Sequence, residues 1–270
     1  MGSEAYGCAS NQSDIDVYGV CIPRKMEAFP HLAGEIPDFG NQKQRFGVWQ
    51  EHHCIDPDSS KEYDFSVYSI IKYFHLAMNA SPNIIDSMFV PRRCILHSTE
   101  IGEMIRENRK IFLSKKLYHT LKGYAYMQNS KIRNKVNYAN EKRAKDIEEF
   151  GYSTKYAMHL VRLISECIQI LVEHDLDLEK NREQLKSIRR GEWTLEQVEN
   201  FFVEKEKTLE ELYVSSALQL KPDEAKIKAL LLNCLEHHYG TLQDAIKMEA
   251  STEMVLDDLE KLLIKYRGIK

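Results

Sequence analysis

No apolar run in this 270-residue chain approaches the ~20 residues that a membrane-spanning helix needs. The first residues carry neither the basic nor the apolar segment of a secretory leader. A cytoplasmic location is therefore the expectation. Six cysteines are scattered along the chain at positions 8, 21, 54, 94, 167 and 234, with no CxxC pair. That spacing argues against a zinc ribbon or a disulfide framework and for reduced thiols. His52, His53 and Cys54 are adjacent, but neighbours on an extended chain point to opposite sides, a poor arrangement for chelating one ion. There is no internal repeat and no low-complexity tract. What remains is a chain that is 43% apolar and 29% charged, the composition of a globular protein with a real core.

A net charge of −4 conceals an uneven distribution. Residues 101–145 hold 3 acidic and 12 basic side chains, a local excess of +9 in an otherwise acidic protein. A polyanion would feel such a patch, whatever the overall charge.

The first hundred residues read as mixed structure. DIDVYGVCIP is β-branched and ends at Pro23, as a strand does. EYDFSVYSI alternates, with Tyr63, Phe65 and Val67 on one face and Glu62, Asp64 and Ser66 on the other. YSIIKYFHLAMNA has helical spacing, and Ser81-Pro82 marks a break before a new helix. The stretch of about 24–60, rich in Pro, Gly, His and Asp, is expected to be a long loop. Ser98 opens a partial capping box, with Ile101 where Glu is usual. From there the pattern is helical almost to the end, with breaks at Gly151 and Gly191. The predicted fold class is α+β: a small mixed-sheet domain over residues 1–97, then an all-helical domain over 98–270.

Asp14 and Asp16 lie two apart at the start of the first strand and so share a face. Two carboxylates this close repel, and stay ionised cheaply when a cation sits between them. Mg²⁺, a hard ion that takes carboxylate oxygens and keeps sites for water and phosphate, suits them. Asp64, on the polar face of the second strand, is placed to complete a two-metal clamp, with Glu62 in reserve. Upstream, Gly2 and Ser3 precede a short helical segment and offer backbone N–H groups and a hydroxyl to a triphosphate. A lone Asp-x-Asp is more often a solvated strand end; the combination with Gly-Ser and a later strand carboxylate is more specific.

These residues, GSEAYG…SDIDVYGV, resemble the signature of nucleotidyltransferases of the DNA polymerase beta superfamily, and more closely its bacterial and phage branch. FPHLAGEIPDFG, the EYDFSVYSIIKYFHLAMNASPNIIDSMFVPRRC block, GYSTKYAMHLVRLI and IRRGEW extend the resemblance along nearly the whole chain. It implies a small mixed sheet carrying helices, with Asp14, Asp16 and Asp64 as metal ligands. It further implies Gly2 and Ser3 as phosphate-binding, with Ser13, next to Asp14, among the nucleotide-binding residues, Mg²⁺ (two ions) as cofactor, and an NTP as substrate. Asn79 to Asn83 resemble the family's Asn-Pro-rich turn.

On STKYAMHLVRLI, Lys155, His159 and Arg162 form one stripe of a largely apolar helix. With the resemblance, this row is expected to face the triphosphate or the carboxylates; ordinary ion pairing is the competing reading. Arg189, Arg190, Glu192 and Trp193 form a second cluster, in which Trp193 stacks a base or packs in the core. Between residues 115 and 145, Lys131, Arg133 and Lys135 interleave with Tyr118, Tyr124, Tyr126 and Tyr138. That is the composition of a surface for RNA, and equally of a helix with tyrosines inward and lysines in solvent.

The expected function is Mg²⁺-dependent transfer of a nucleoside monophosphate from an NTP to an acceptor hydroxyl, with an RNA 3′ end as the favoured acceptor. Two alternatives stand beside it. One is AMP transfer to a protein or small molecule. The other is nucleotide or RNA binding without catalysis, because in the superfamily a strand precedes the Gly-Ser turn and here only Met1 does.

Overall fold

The computed structural model describes residues 1–9, 14–134, 141–245, 256 and 259–263. The chain divides into two compact units, Met1–Cys21 with Gly47–Cys234, and Ile22–Phe46 with Leu235–Lys270. The architecture is α+β, a three-stranded mixed sheet with many helices.

In the larger unit, α1 (Gly2–Ala5) leads to β1 (Ile15–Cys21), and β2 (Val48–Ile55) and β3 (Glu62–Ser69) form a hairpin. The sheet order is β1-β3-β2. β1 runs parallel to β3 with Asp16 opposite Asp64, and β2 runs antiparallel to β3. The expectation of a loop across 24–60 fails at β2. Its side chains are exposed or half-buried throughout, so no apolar alternation marks it in the sequence. Ladder bonds to β3, more than burial, hold it in place.

Ser69 then caps α3 (Ile70–Met78) by accepting from the Lys72 N–H, and Pro82 opens α4 (Pro82–Phe89), as the sequence predicts. α5 (Glu100–Glu107) starts one residue later than the Ser98 signature suggests: Thr99 is its cap and accepts from the Gly102 N–H. There follow α6 (Lys116–Arg133), α7 (Glu141–Phe150), α8 (Thr154–Glu173), α9 (Arg182–Arg189) and α10 (Leu195–Ser215). α8 is the centre of the core. Most of its apolar residues, among them Leu160, Val161, Ile164, Cys167 and Ile170, are almost wholly buried. It packs against α6, α9 and α10. Both predicted helix breaks hold, with Gly151 at φ 81° and Gly191 at φ 74°, backbone that favours glycine. Trp193 packs on Phe201 and donates from its indole to Ser187 Oγ at 3.1 Å.

α11 (Glu224–Tyr239) carries the chain from the larger unit into the smaller one. There, α2 (Lys25–Ala28) is followed by a 3₁₀ turn over Pro30–Ala33. The Phe29 ring meets Tyr239 edge-on, and Lys25 Nζ donates to the Asp244 carbonyl, in α12 (Leu242–Ala245). No helix among the described residues is long and apolar enough to cross a membrane.

Candidate active site

Register places the predicted carboxylates. Asp16 and Asp64 are partners in the parallel ladder, so both side chains leave one face of the sheet next to each other. Asp14 is exposed, just ahead of β1. Burial pushes the Asp16 carboxyl above the usual range, and the negative charges of Asp64 and Asp14 push the same way; the Met1 amine and, less strongly, Lys155 oppose them. Asp64 is held below the usual range, chiefly because it accepts the His53 backbone N–H at 2.9 Å. One strand edge thus carries an electrostatically stressed carboxylate beside a stabilised one.

A bulge in β2 explains that hydrogen bond. Tyr63 pairs with Cys54 and Phe65 with Glu51, so His52 and His53 together face Asp64. His53 takes a left-handed backbone at φ 59°, which turns its N–H onto Asp64 Oδ1. His52 Nδ1 lies 3.4 Å from the same oxygen, and His53 Nδ1 meets Glu62. The expectation that neighbouring histidines diverge is corrected here. It holds for a regular strand and fails at a bulge, where two residues share one partner.

Gly2 lies against the carboxylate row. Its φ is 57°, and a Cβ built on it would fall 1.9 Å from Asp16 Oδ2. The Met1 amine donates to the Asp16 carbonyl at 2.6 Å, and the Ser3 carbonyl accepts from the Cys8 N–H at 2.8 Å. Arg93 donates to the Glu4 carbonyl and pairs with Glu179, tying α1 to its surroundings. Ser13 lies outside the described residues.

The basic stripe of α8 divides. Lys155, in its first turn, is exposed, and its charge reaches Asp16. His159 is held neutral, with its pKa down at about 3, first by burial and then by the converging charges of Arg162, Lys155, Arg189 and Lys131. Arg162 turns inward. Its side chain is 7% exposed, with Nη1 2.7 Å from Asp86 Oδ2 and 3.0 Å from Glu166 Oε1. Lys131 on α6 and Arg189 on α9 therefore join Lys155 around His159, where the sequence placed them in separate clusters.

Much of the α6 charge is already matched. Lys122 pairs with Glu206 and Glu210 of α10, and Arg133 with Glu199. Tyr126 donates to Glu206, and the Tyr118 ring packs, tilted, against Tyr213. Lys131 instead lies over the Tyr156 ring at 5.4 Å. Lys135 and Tyr138 are outside the described residues. Asn79 caps α3 and accepts from Lys116 Nζ at 2.9 Å, while Asn83 is exposed on α4.

The donor set fits a hard divalent cation: carboxylate oxygens of Asp16 and Asp64 side by side, with Asp14 close enough in sequence to join them. Among the described residues, His53, Glu62 and Asp64 have ligand atoms all within 4.8 Å of one another. That set shares Asp64 with the predicted trio and adds a nitrogen donor to it.

A family model described as the RNA repair pathway DNA polymerase beta family (RlaP) matches residues 1–253. The chain belongs to this family. The polymerase beta resemblance of GSEAYG…SDIDVYGV is thereby established over nearly the whole sequence. An uncharacterized 38.9 kDa protein from the nrdC–mobD intergenic region of Enterobacteria phage T4 is similar to the chain, 23% identical over 133 residues. The match spans 48% of this chain and 36% of that relative, so the chain accounts for about a third of the relative's length. No solved structure matches the chain. For this RlaP-family chain, the sequence brings forward the two carboxylates and Lys155. It does not bring forward the His52–His53 bulge or the Tyr6, Asp86 and Glu166 partners of Arg162. A bulge has no composition signal, and a buried ion cluster is assembled from residues 80 and 156 positions apart.

Proposed function

We propose that this chain is a divalent-metal-dependent nucleotidyltransferase that moves a nucleoside monophosphate from an NTP to the 3′ hydroxyl of an RNA. The observation that carries the reading is the register: Asp16 and Asp64 emerge side by side, with Gly2 in contact with Asp16. Membership of an RNA repair family supports the acceptor.

In this reading Asp14, Asp16 and Asp64 hold Mg²⁺, two ions when the site is full. A metal held there would supply Lewis acidity, lowering the pKa of an acceptor hydroxyl and offsetting negative charge on a departing pyrophosphate. The chain's own groups do the rest. Asp64, kept ionised by the His53 N–H, offers a carboxylate that needs no proton removed before it binds a cation. Gly2 leaves the space beside Asp16 clear, so that the backbone of the turn and the Ser3 hydroxyl meet phosphate oxygens at close range. Lys155 reaches the same side and offsets the charge of the triphosphate tail. His159, neutral among cations, contributes a hydrogen bond there and adds no charge.

Incubating the protein with each α-labelled NTP, Mg²⁺ and a pool of RNA, protein and metabolites tests the reading. Label is expected in RNA and is expected to disappear in Asp16→Asn with Asp64→Asn. Label confined to protein or metabolites would replace the acceptor. Labelling unaffected by the double substitution would end the proposal.

A further inference from the structure

α1 has four residues, too few to hold its own position, yet Gly2 at its start lies against Asp16. Tyr6, which ends the helix, is 4% exposed. Its hydroxyl donates to Asp86 Oδ2 at 2.6 Å and accepts from Arg162 Nη1 at 2.5 Å. Arg162 also lies over the Tyr6 ring, 4.3 Å from its centroid, a cation–π contact. The same Nη1 reaches Asp86 on α4 and Glu166 one turn along α8. Four residues from three separate parts of the chain thus meet at one guanidinium, and one of them is the end of the turn that borders the carboxylates.

The cluster is an odd way to gain stability. Burying one cation with two carboxylates is costly, and a well-packed apolar replacement is commonly as stable or more so. Glu166 Oε2 and Arg162 Nε lack a hydrogen-bond partner among the described residues, so the polar groups are not even fully satisfied. What the cluster supplies is direction. Accepting from the guanidinium and donating to Asp86, the Tyr6 hydroxyl is fixed to within hydrogen-bonding tolerance, as an apolar contact would not fix it.

We propose that Arg162 is a positioning residue for nucleotide binding: through Tyr6, and braced by Asp86 and Glu166, it fixes the Gly2–Ser3 turn against Asp16 so that the turn is preformed for a triphosphate. This rests on the nucleotidyl-transfer reading above and adds the source of the turn's rigidity. Arg162 itself does not touch the nucleotide; it acts from the core.

Tyr6→Phe is the gentle probe, since it keeps the ring, its volume and the cation–π contact while removing the hydroxyl. Arg162→Lys is the harsher one, because a single ammonium cannot reproduce the guanidinium's contacts. The measurements are the melting temperature, the dissociation constant of a fluorescent ATP analogue with Mg²⁺, and KM and kcat for NTP in labelling. The expected result for Tyr6→Phe is a Kd and KM raised about 5- to 20-fold, a kcat within about twofold, and a melting temperature near that of the parent. Arg162→Lys is expected to show a loss at least as large in the fraction that folds. Normal Kd and KM in Tyr6→Phe overturn the proposal, whether or not its melting temperature falls, because a purely structural cluster alters the amount of folded protein and not its affinity. Nucleotide binding keeps the two readings separable. If Asp16→Asn with Asp64→Asn leaves labelling unchanged, the catalytic assignment fails, and the Kd of Tyr6→Phe still decides whether the cluster positions the turn.

Discussion

A methyl group on Gly2 would sit 1.9 Å from Asp16 Oδ2, well inside any permitted contact. The turn and the strand carboxylate are therefore one object, and an added Cβ forces one of them to move. Gly2 also has φ 57°, where an L residue costs roughly 1–2 kcal/mol. The atom struck belongs to the end of a flexible side chain, so the strain relaxes by swinging Asp16 away. Gly2→Ala is expected to lower nucleotidyl transfer by about 10- to 100-fold while shifting the melting temperature by only a few degrees. Labelling assays alongside thermal melts check this; unchanged transfer would detach Gly2 from the site.

Gly191 meets a different obstacle. A Cβ there would fall 2.1 Å from the Phe150 ring, with φ at 74°. A ring is bulkier than a carboxylate and gives way at greater cost. Gly191→Ala is expected to destabilise by about 2–4 kcal/mol, the strain of the backbone added to that of overpacking. Phe150→Ala in the same chain should recover part of the loss. Denaturant titration of the two single variants and the double variant closes the cycle, and strict additivity would show that the two residues do not collide.

The histidine bulge gives a prediction in which the main chain, not the side chain, matters. His53 is at φ 59°, a conformation that glycine adopts freely and a β-branched residue resists. His53→Gly keeps the N–H on Asp64 and is expected to retain more activity than His53→Val, by about 10-fold or more. Should the two variants behave alike, the N–H contact has no role in presenting Asp64.

That contrast also marks what the sequence reveals. That Asp64 lies on the polar face of its strand follows from the period of two in EYDFSVYSI, and Asp16 stands out at the start of an apolar run. That the two meet across the ladder is set by register, which periodicity within one strand does not fix. α4 starts at Pro82 and helices break at Gly151 and Gly191 because proline and glycine restrict or free the backbone locally. β2 escapes detection because an exposed edge strand has no buried face to impose a pattern. The placement of Arg162 escapes too. Its spacing with Lys155 and His159 is right for one stripe, but the stripe faces the basic basin at one end and Asp86 at the other, and only tertiary packing separates them.

Stability should carry the signature of the buried cluster. Burial drives the Glu166 carboxyl up to about 8 from an ordinary 4.5, against the pull of Arg162 and with the push of Asp86. Asp86 is raised by burial as well. A carboxyl whose folded pKa exceeds its unfolded one contributes stability that is complete below the unfolded value. That contribution is lost as pH rises through the folded value. Stability is therefore expected to decline between about pH 4.5 and pH 8 on account of Glu166, the reverse of the usual paired carboxylate. Glu166→Gln should flatten that decline. Urea titrations at intervals across the window provide the test, and parallel curves for parent and variant would mean that Glu166 is ionised throughout.

The last prediction separates the two halves of the basic segment. On α6, Lys122 is 19% exposed at its side chain and already faces Glu206 and Glu210. Lys131 has an aromatic ring beneath it and adds its charge to the basin around His159. Removing Lys122 leaves two acids unmatched and should cost stability of about 1 kcal/mol, with little effect on RNA. Reversing charge in Lys131→Glu should leave stability nearly unchanged and weaken RNA labelling, and more so at low salt, where phosphate contacts contribute most. Measuring transfer to RNA across a salt series, next to melting temperatures, distinguishes them. A loss of RNA transfer in Lys122→Ala with none in Lys131→Glu would show that the matched side of α6, and not the basin beside α8, receives the RNA.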